Sequence, residues 1–334
     1  MPTRRIALAI LILLCLPALH VASGHVPVIA EGHNDPDAAL VIDDPLKSWV
    51  FYAVLPDGGS VQYYRFRMDE GDRIRLMLQV PERGGIAPDI ALIGPGIETS
   101  GNPPGFVRVP EAAGTLIASG TPPDRPSYEP FTPAAYYELV DIDIAAEEAG
   151  EYVVAVYDPD EGGRYALAVG YEEAFDLDEW LLIPIVVIGV RLWEGQSLPY
   201  ILSPLIAALI IGIGLIFLRQ RQQLVALTPF SIIGALAGLF YIGGGGMTLM
   251  QMATVLAEAP LQGSVIVTFL LALIPIVLGI AILRIALRRR APEGMRDRIK
   301  IALLGAAGLV VWAGLLVGPA LALLAAVLPY SPGH

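Results

Sequence analysis

Between Ser48 and Tyr171 apolar residues recur at every second position, in short runs broken by Gly, Pro and Asp. That is the pattern of half-buried strands joined by turns. It predicts strands over 49–55, 61–68, 72–80, 89–93, 135–141, 151–157 and 165–171, with tight turns at Asp69-Glu70-Gly71-Asp72 and Asp158-Pro159-Asp160-Glu161-Gly162-Gly163. The expected domain is an all-β, jelly-roll-like sandwich over 48–178, large enough to form a core without disulfides. Past Trp180 the alternation stops and long apolar runs begin. Those at 200–218, 229–252, 265–283 and 301–327 are each long enough to cross a hydrocarbon core of about 30 Å, which predicts an all-α region of four transmembrane helices over 200–327. The apolar stretch between Trp180 and Trp193 is too short to cross and has Trp at both ends, so 179–199 reads as an interfacial collar.

Composition agrees with this division. The chain has 334 residues, is 55% hydrophobic and 16% charged, and has a mean hydropathy of +0.62. From His25 to Trp180 there are 29 acidic and nine basic residues, a net of −20; from Leu181 onward there are four acidic and ten basic, a net of +6. No basic patch suited to nucleic acid exists in the acidic part. The basic residues of the second part, Arg219 and Arg221, then Arg284 to Lys300, flank the apolar runs. Short loops rich in Arg and Lys stay cytoplasmic, which would put the sandwich, the Glu258 loop and an outer tail at 328–334 outside a cell membrane. At the start, Arg4 and Arg5, the apolar run 6–16 and small residues at Ala22 and Gly24 have the order of a secretory signal over 1–24, cut after Gly24 or Ala22, or else of an uncleaved anchor. Cys15, the single cysteine, would leave with it. Residues 25–47 read as an extended leader.

Several β segments carry a likeness. Val61 to Phe66 running into Glu70-Gly71-Asp72-Arg73-Ile74, then Pro88 to Leu92, then Gly150 to Tyr157 with Gly163 to Leu167, resemble bacterial pre-peptidase C-terminal domains. The resemblance covers roughly 48–172 and departs from that family in the insertion 94–133, which holds nine prolines. It implies an accessory role, binding or scaffolding, beside a four-span membrane region.

The candidate chemistry is sparse. Tyr128, Phe131, Tyr136 and Tyr137 lie near rigid Pro turns, as a carbohydrate or peptide platform would, or as aromatics pinning the insertion onto the sheet would. Asp158, Asp160 and Glu161 offer hard oxygen ligands for calcium on one loop, with Asp141 and Asp143 nearby, or make a solvated turn. A mature amino terminus at His25, with His33 and the soft ligands Met247, Met250 and Met252, would suit copper; the alternative is a leader and packing methionines. No resident cofactor is required by these readings. Gly234 and Gly238 permit close packing or a homo-oligomer, and Gly243–Gly246 could break a helix where backbone lines a cavity. The sequence therefore points to a non-enzymatic cell-surface protein that contacts membrane lipid and binds a protein, glycan or envelope component outside. Alternatives are an oligomeric transport or copper-delivery component and a membrane-anchored carboxylate hydrolase.

Overall fold

The structure is a computed structural model and describes residues 24–81, 85–109, 113–225, 227–288 and 294–328. The expected signal sequence, apart from Gly24, lies outside the described residues, as do Cys15, Arg289, Arg290 and 329–334. The chain divides into a β-rich region of two sheets followed by an all-helical region.

Eleven strands build the first region: β1 (Val26–Ile29), β2 (Leu40–Val41), β3 (Trp49–Leu55), β4 (Val61–Met68), β5 (Arg73–Val80), β6 (Asp89–Gly94), β7 (Gly114–Ala118), β8 (Ser127–Glu129), β9 (Ala134–Ala145), β10 (Gly150–Tyr157) and β11 (Gly163–Val169). Six of them form a sheet in the order β1-β3-β11-β5-β9-β8 and five form a second in the order β2-β4-β10-β6-β7. The core lies between the sheets. Phe51, Leu55, Leu76, Leu78, Tyr165 and Leu167 of the first face Tyr64, Phe66, Ile90, Leu92, Tyr152 and Val154 of the second. The segment 25–47 differs from the expected leader, since β1 pairs parallel with β3 and β2 parallel with β4, extending one edge of each sheet.

Alternation alone would leave one face of each strand wet, yet β3 and β11 are buried almost continuously. The reason is a helix on the outer face of the six-stranded sheet. Helix α1 (Leu177–Trp193) sets Val190 and Trp193 against Val50, Tyr52, Ala166 and Ala168, which point away from the core. Alanines at those β11 positions leave room for the indole. The outer face of the other sheet is covered by the insertion, through Val107 and Val109 over Tyr63, Ile93 and Tyr157.

Helices α2 (Leu198–Arg221), α3 (Pro229–Val255) and α4 (Val265–Ala286) are long and apolar enough to cross a membrane. The fourth expected span, 301–327, is not one helix. It divides into α5 (Met295–Val310) and α6 (Val317–Val327), separated by a 3-10 turn at Ala313–Leu316 with left-handed backbone at Trp312, Gly314, Leu315 and Leu316. α5 and α6 pack antiparallel: a Cβ on Gly305 would sit 3.2 Å from Ala322, and Arg298 donates to the Ala326 carbonyl at 3.4 Å. At 1.5 Å per residue the arms measure about 24 and 16 Å, so the run folds back on itself and neither arm alone has the length of a roughly 30 Å hydrocarbon core.

α3 is the hub of the helical region, and it is continuous through Gly243–Gly246, where a break was one expectation. These glycines let neighbours in on several sides. Gly243 meets Leu205 of α2, Gly244 meets Gly314 of the hairpin tip and Gly245 meets the Ala272 carbonyl of α4. Gly234 and Gly238, expected to permit close packing or a homo-oligomer, face Ala286, Ile301, Gly279 and Leu283 of the chain's own helices, which is the close packing.

Candidate functional site

The densest set of buried polar groups lies where the six-stranded sheet meets the helices. α1 is tied down at its start by Lys47, whose buried ammonium donates to Asp176 at 2.9 Å and to Glu179 at 2.7 Å. Burial alone would lower the Lys47 pKa, but the hydrogen bonds and charges of Glu179 and Asp176 outweigh it and raise the value. Glu179 also accepts the Asp176 N–H at 2.8 Å, satisfying one of the free donors at the helix start. At the other end the Trp193 indole donates to the Ala53 carbonyl at 2.8 Å and its ring meets Tyr52 edge-on, with centroids 4.9 Å apart.

Beside Trp193 sits a charged cluster. Arg191 donates to Glu194 at 2.7 Å, and both side chains are almost wholly enclosed, 4% and 10% exposed. Glu194 also accepts the Tyr136 hydroxyl at 2.7 Å. Gln196 donates to Gln251 of α3 at 2.9 Å and accepts from it at 2.7 Å, a reciprocal amide pair that satisfies both side chains. The buried Arg191–Glu194 ion pair adds little net stability over an apolar replacement, but removing one partner strands the other charge at a cost of about 3–5 kcal/mol. It fixes one docking geometry more than it strengthens it.

The four aromatics of the expected platform are dispersed by the structure. Tyr128 packs among Val255, Ala259 and Val265, and its hydroxyl donates to Thr268 of α4 at 2.9 Å. Thr268 in turn donates to the Pro130 carbonyl at 2.6 Å. Tyr136 lies under Trp193, and burial, with the charge of Glu194 behind it, lifts its pKa well above the usual phenol range. Tyr137 belongs to the sandwich core, and Phe131 is half-buried in the β8–β9 turn. They pin the insertion, but onto the helices as much as onto the sheet. Glu129, in the same turn, accepts the Phe131 N–H at 3.0 Å, and its pKa is pushed up to about 7 by burial, against those backbone donors and the charge of Arg191.

The residues expected to hold metal are placed separately. Asp158 is buried and uses its carboxylate to hold loops, accepting from Asp160 at 2.9 Å, Glu161 at 3.0 Å and Ala87 at 3.2 Å, while Asp160 and Glu161 are exposed. Asp141 and Asp143 pair with Arg75 and Arg73. His25 bonds Ser48 at 2.5 Å, whereas His33 is sealed against Tyr64 with neither ring nitrogen partnered. Met247 packs on α2 beside Leu205, and Met252 packs beside Tyr128. Among the described residues no three His, Cys, Asp or Glu side chains converge as a metal site would require. Asp89, with its pKa raised by burial and further by the nearby Asp158, accepts the Gly120 N–H at 3.0 Å, so this carboxylate also serves a loop.

The sequence reading missed Arg191, Glu194, Gln196, Gln251, Glu129 and Thr268. A signal was present, since Gln251 and Thr268 are polar residues near the ends of apolar runs, and Arg191 and Glu194 stand three apart where a short one closes. Compared with known proteins, the chain matches no protein-family model and no curated relative.

Proposed function

We propose that the protein is a cell-surface membrane protein whose β-sandwich, seated firmly on its own membrane helices, binds or scaffolds a partner outside the cell. The observation that carries this reading is the junction. Arg191, Glu194, Tyr136, Trp193, Tyr128 and Thr268 are spent on holding one sheet against α1, α3 and α4, in a fixed pose, with the insertion-covered side of the other sheet turned to solvent. A domain that only needed a tether would have no use for such a contact. The likeness of 48–172 to pre-peptidase C-terminal domains supports the same role, and the bias of basic residues toward the connections after α2 and α4 supports an outer location for the sandwich.

The binding face on this reading is the far side. There Asn34, Ser60, Tyr63, Phe106 and Arg108 line an open cleft of about 230 Å³. Tyr63 accepts the Arg108 N–H at 3.0 Å, and Phe106 stands 40% exposed over Tyr157. A photo-reactive residue at Phe106 or Asn34 should give a discrete adduct with an envelope protein or glycan in living cells, and one at Leu181 should give lipid only. Adducts at Leu181 alone, with none at the cleft, would refute the role.

A transport component is the second reading, and the hairpin favours it. Irregular backbone such as 312–316 is tolerated at membrane depth only where protein or water surrounds it. Solute flux in proteoliposomes, abolished by bulky substitution at Gly244, would promote this reading over the first.

A further inference from the structure

A second cleft, of about 270 Å³, opens at the seam between the sandwich and the membrane helices, between the insertion residues Asp124, Arg125 and Pro126 and the α3–α4 connection at Glu258, Ala259 and Pro260. Tyr137 also lines it. Asp124, Arg125 and Glu258 are exposed, and among the described residues none of them has an ion-pair partner. Two carboxylates and one guanidinium thus face one small space with their charges unspent.

The position of the cleft narrows what fills it. It lies at the ends of α3 and α4 on the sandwich side. Following Pro260 in the chain, Leu261 and then Ile266 and Phe269 in the first turns of α4 form an apolar track, 82%, 64% and 46% exposed. In a bilayer that track lies against acyl chains, so a molecule with its chains on α4 has its headgroup at the cleft. We infer that this cleft holds the phosphoethanolamine headgroup of a membrane phospholipid. The ammonium supplies three N–H donors for Asp124 and Glu258, and the phosphate is placed for Arg125. Choline carries the same charge but no N–H to donate, and phosphoglycerol carries no cation. The carboxylates therefore discriminate among headgroups that Arg125 alone would not. The inference rests on reading α2, α3 and α4 as spans, which carbonate extraction of membranes checks independently.

The experiment is native mass spectrometry of the full chain in detergent, with phosphatidylethanolamine, phosphatidylcholine and phosphatidylglycerol added in equal amounts. Phosphatidylethanolamine should be retained over the other two by about tenfold, the size of one charge-assisted hydrogen bond. The double variant Asp124→Asn, Glu258→Gln should erase that preference, whereas Arg125→Gln should weaken all three lipids alike. Because these side chains are exposed, the variants should fold normally, and Glu258→Lys adds a gain of function by shifting the preference toward phosphatidylglycerol. Equal retention of the three lipids, or a preference that survives the double variant, would overturn the proposal. So would free O-phosphoethanolamine binding as tightly as the lipid, which would make the ligand a soluble one.

Discussion

Glu129→Gln is the most informative single change at the junction, because it separates the charge of that carboxylate from its shape. Glu129 is half-buried in the β8–β9 turn that Tyr128 and Pro130 fasten to Thr268. Burial raises its pKa from an ordinary 4.5 to about 7. A group whose folded pKa is raised binds protons more tightly when folded. Its contribution is fully present below pH 4.5 and is lost as pH rises through 7. The full gap corresponds to about 3 kcal/mol, and the part of the carboxylate that water reaches reduces this to about 2 kcal/mol. Glutamine keeps an oxygen for the Phe131 N–H and carries no charge at any pH.

The variant should therefore match the wild type near pH 4.5 and exceed it by about 2 kcal/mol at pH 8. Guanidinium unfolding of the detergent-solubilised chain, followed by tryptophan fluorescence at half-unit steps of pH, reads this directly. His25 and His33 titrate across the same range with the opposite sign, since burial lowers both pKa values. Their contribution cancels in the difference between the two proteins. A variant that parallels the wild type at every pH, or that is weaker at pH 8, would show that Glu129 is not held against its ionised form.

Thr268→Val should destabilise by about 2–3 kcal/mol, because it strands both the Tyr128 hydroxyl and the Pro130 carbonyl, while Tyr128→Phe should cost about 1 kcal/mol; thermal unfolding of the two variants compares them. Cysteines introduced at Met295 and Leu328 should react with a membrane-impermeant maleimide from the same side of sealed vesicles and one at Gly263 from the other, because α5 and α6 fold back; labelling of Leu328→Cys with Gly263→Cys would restore a fourth crossing. His33→Phe should be neutral or stabilising at pH 7, since it removes two unpartnered nitrogens and keeps an edge contact with Tyr64. Wild-type stability from His33 should be lost as pH falls below about 6.5, toward the lowered folded pKa, and the difference between wild type and variant should widen there in denaturant titrations.

The sandwich was readable where strands are long and alternate. The central strands β3, β4, β5, β6, β10 and β11 fall within a residue or two of the positions their apolar period marks, because one face of each meets the core. β1, β2, β7 and β8 were not readable. They have two to five residues, and their pairing is supplied by a neighbour already in place, as when Val26–Ile29 joins β3 in parallel despite Pro27. Double burial misled as well. An aromatic on the solvent face of an isolated sheet looks like a binding residue, and Tyr136 occupies such a face until Trp193 closes over it.

In the helical half, hydropathy gave the length of each apolar run but not its path. The run 301–327 would span if straight, and nothing in its composition forbids that. What turns it is geometry shared with α3. Gly314 takes a left-handed backbone, at φ +58°, that other residues rarely adopt, and a Cβ there would come within 2.7 Å of the Phe240 carbonyl carbon. Opposite it, Gly244 has no side chain to hold the tip away. At the end of the turn the Trp312 indole donates to the Trp180 carbonyl at 2.8 Å, so the hairpin tip reaches α1. The same residues that look in sequence like a weakness of one helix are thus the place where two segments meet. A glycine run inside an apolar helix marks either a break or a crossing, and the sign of a crossing is a second glycine elsewhere in the chain at an approach too close for a side chain.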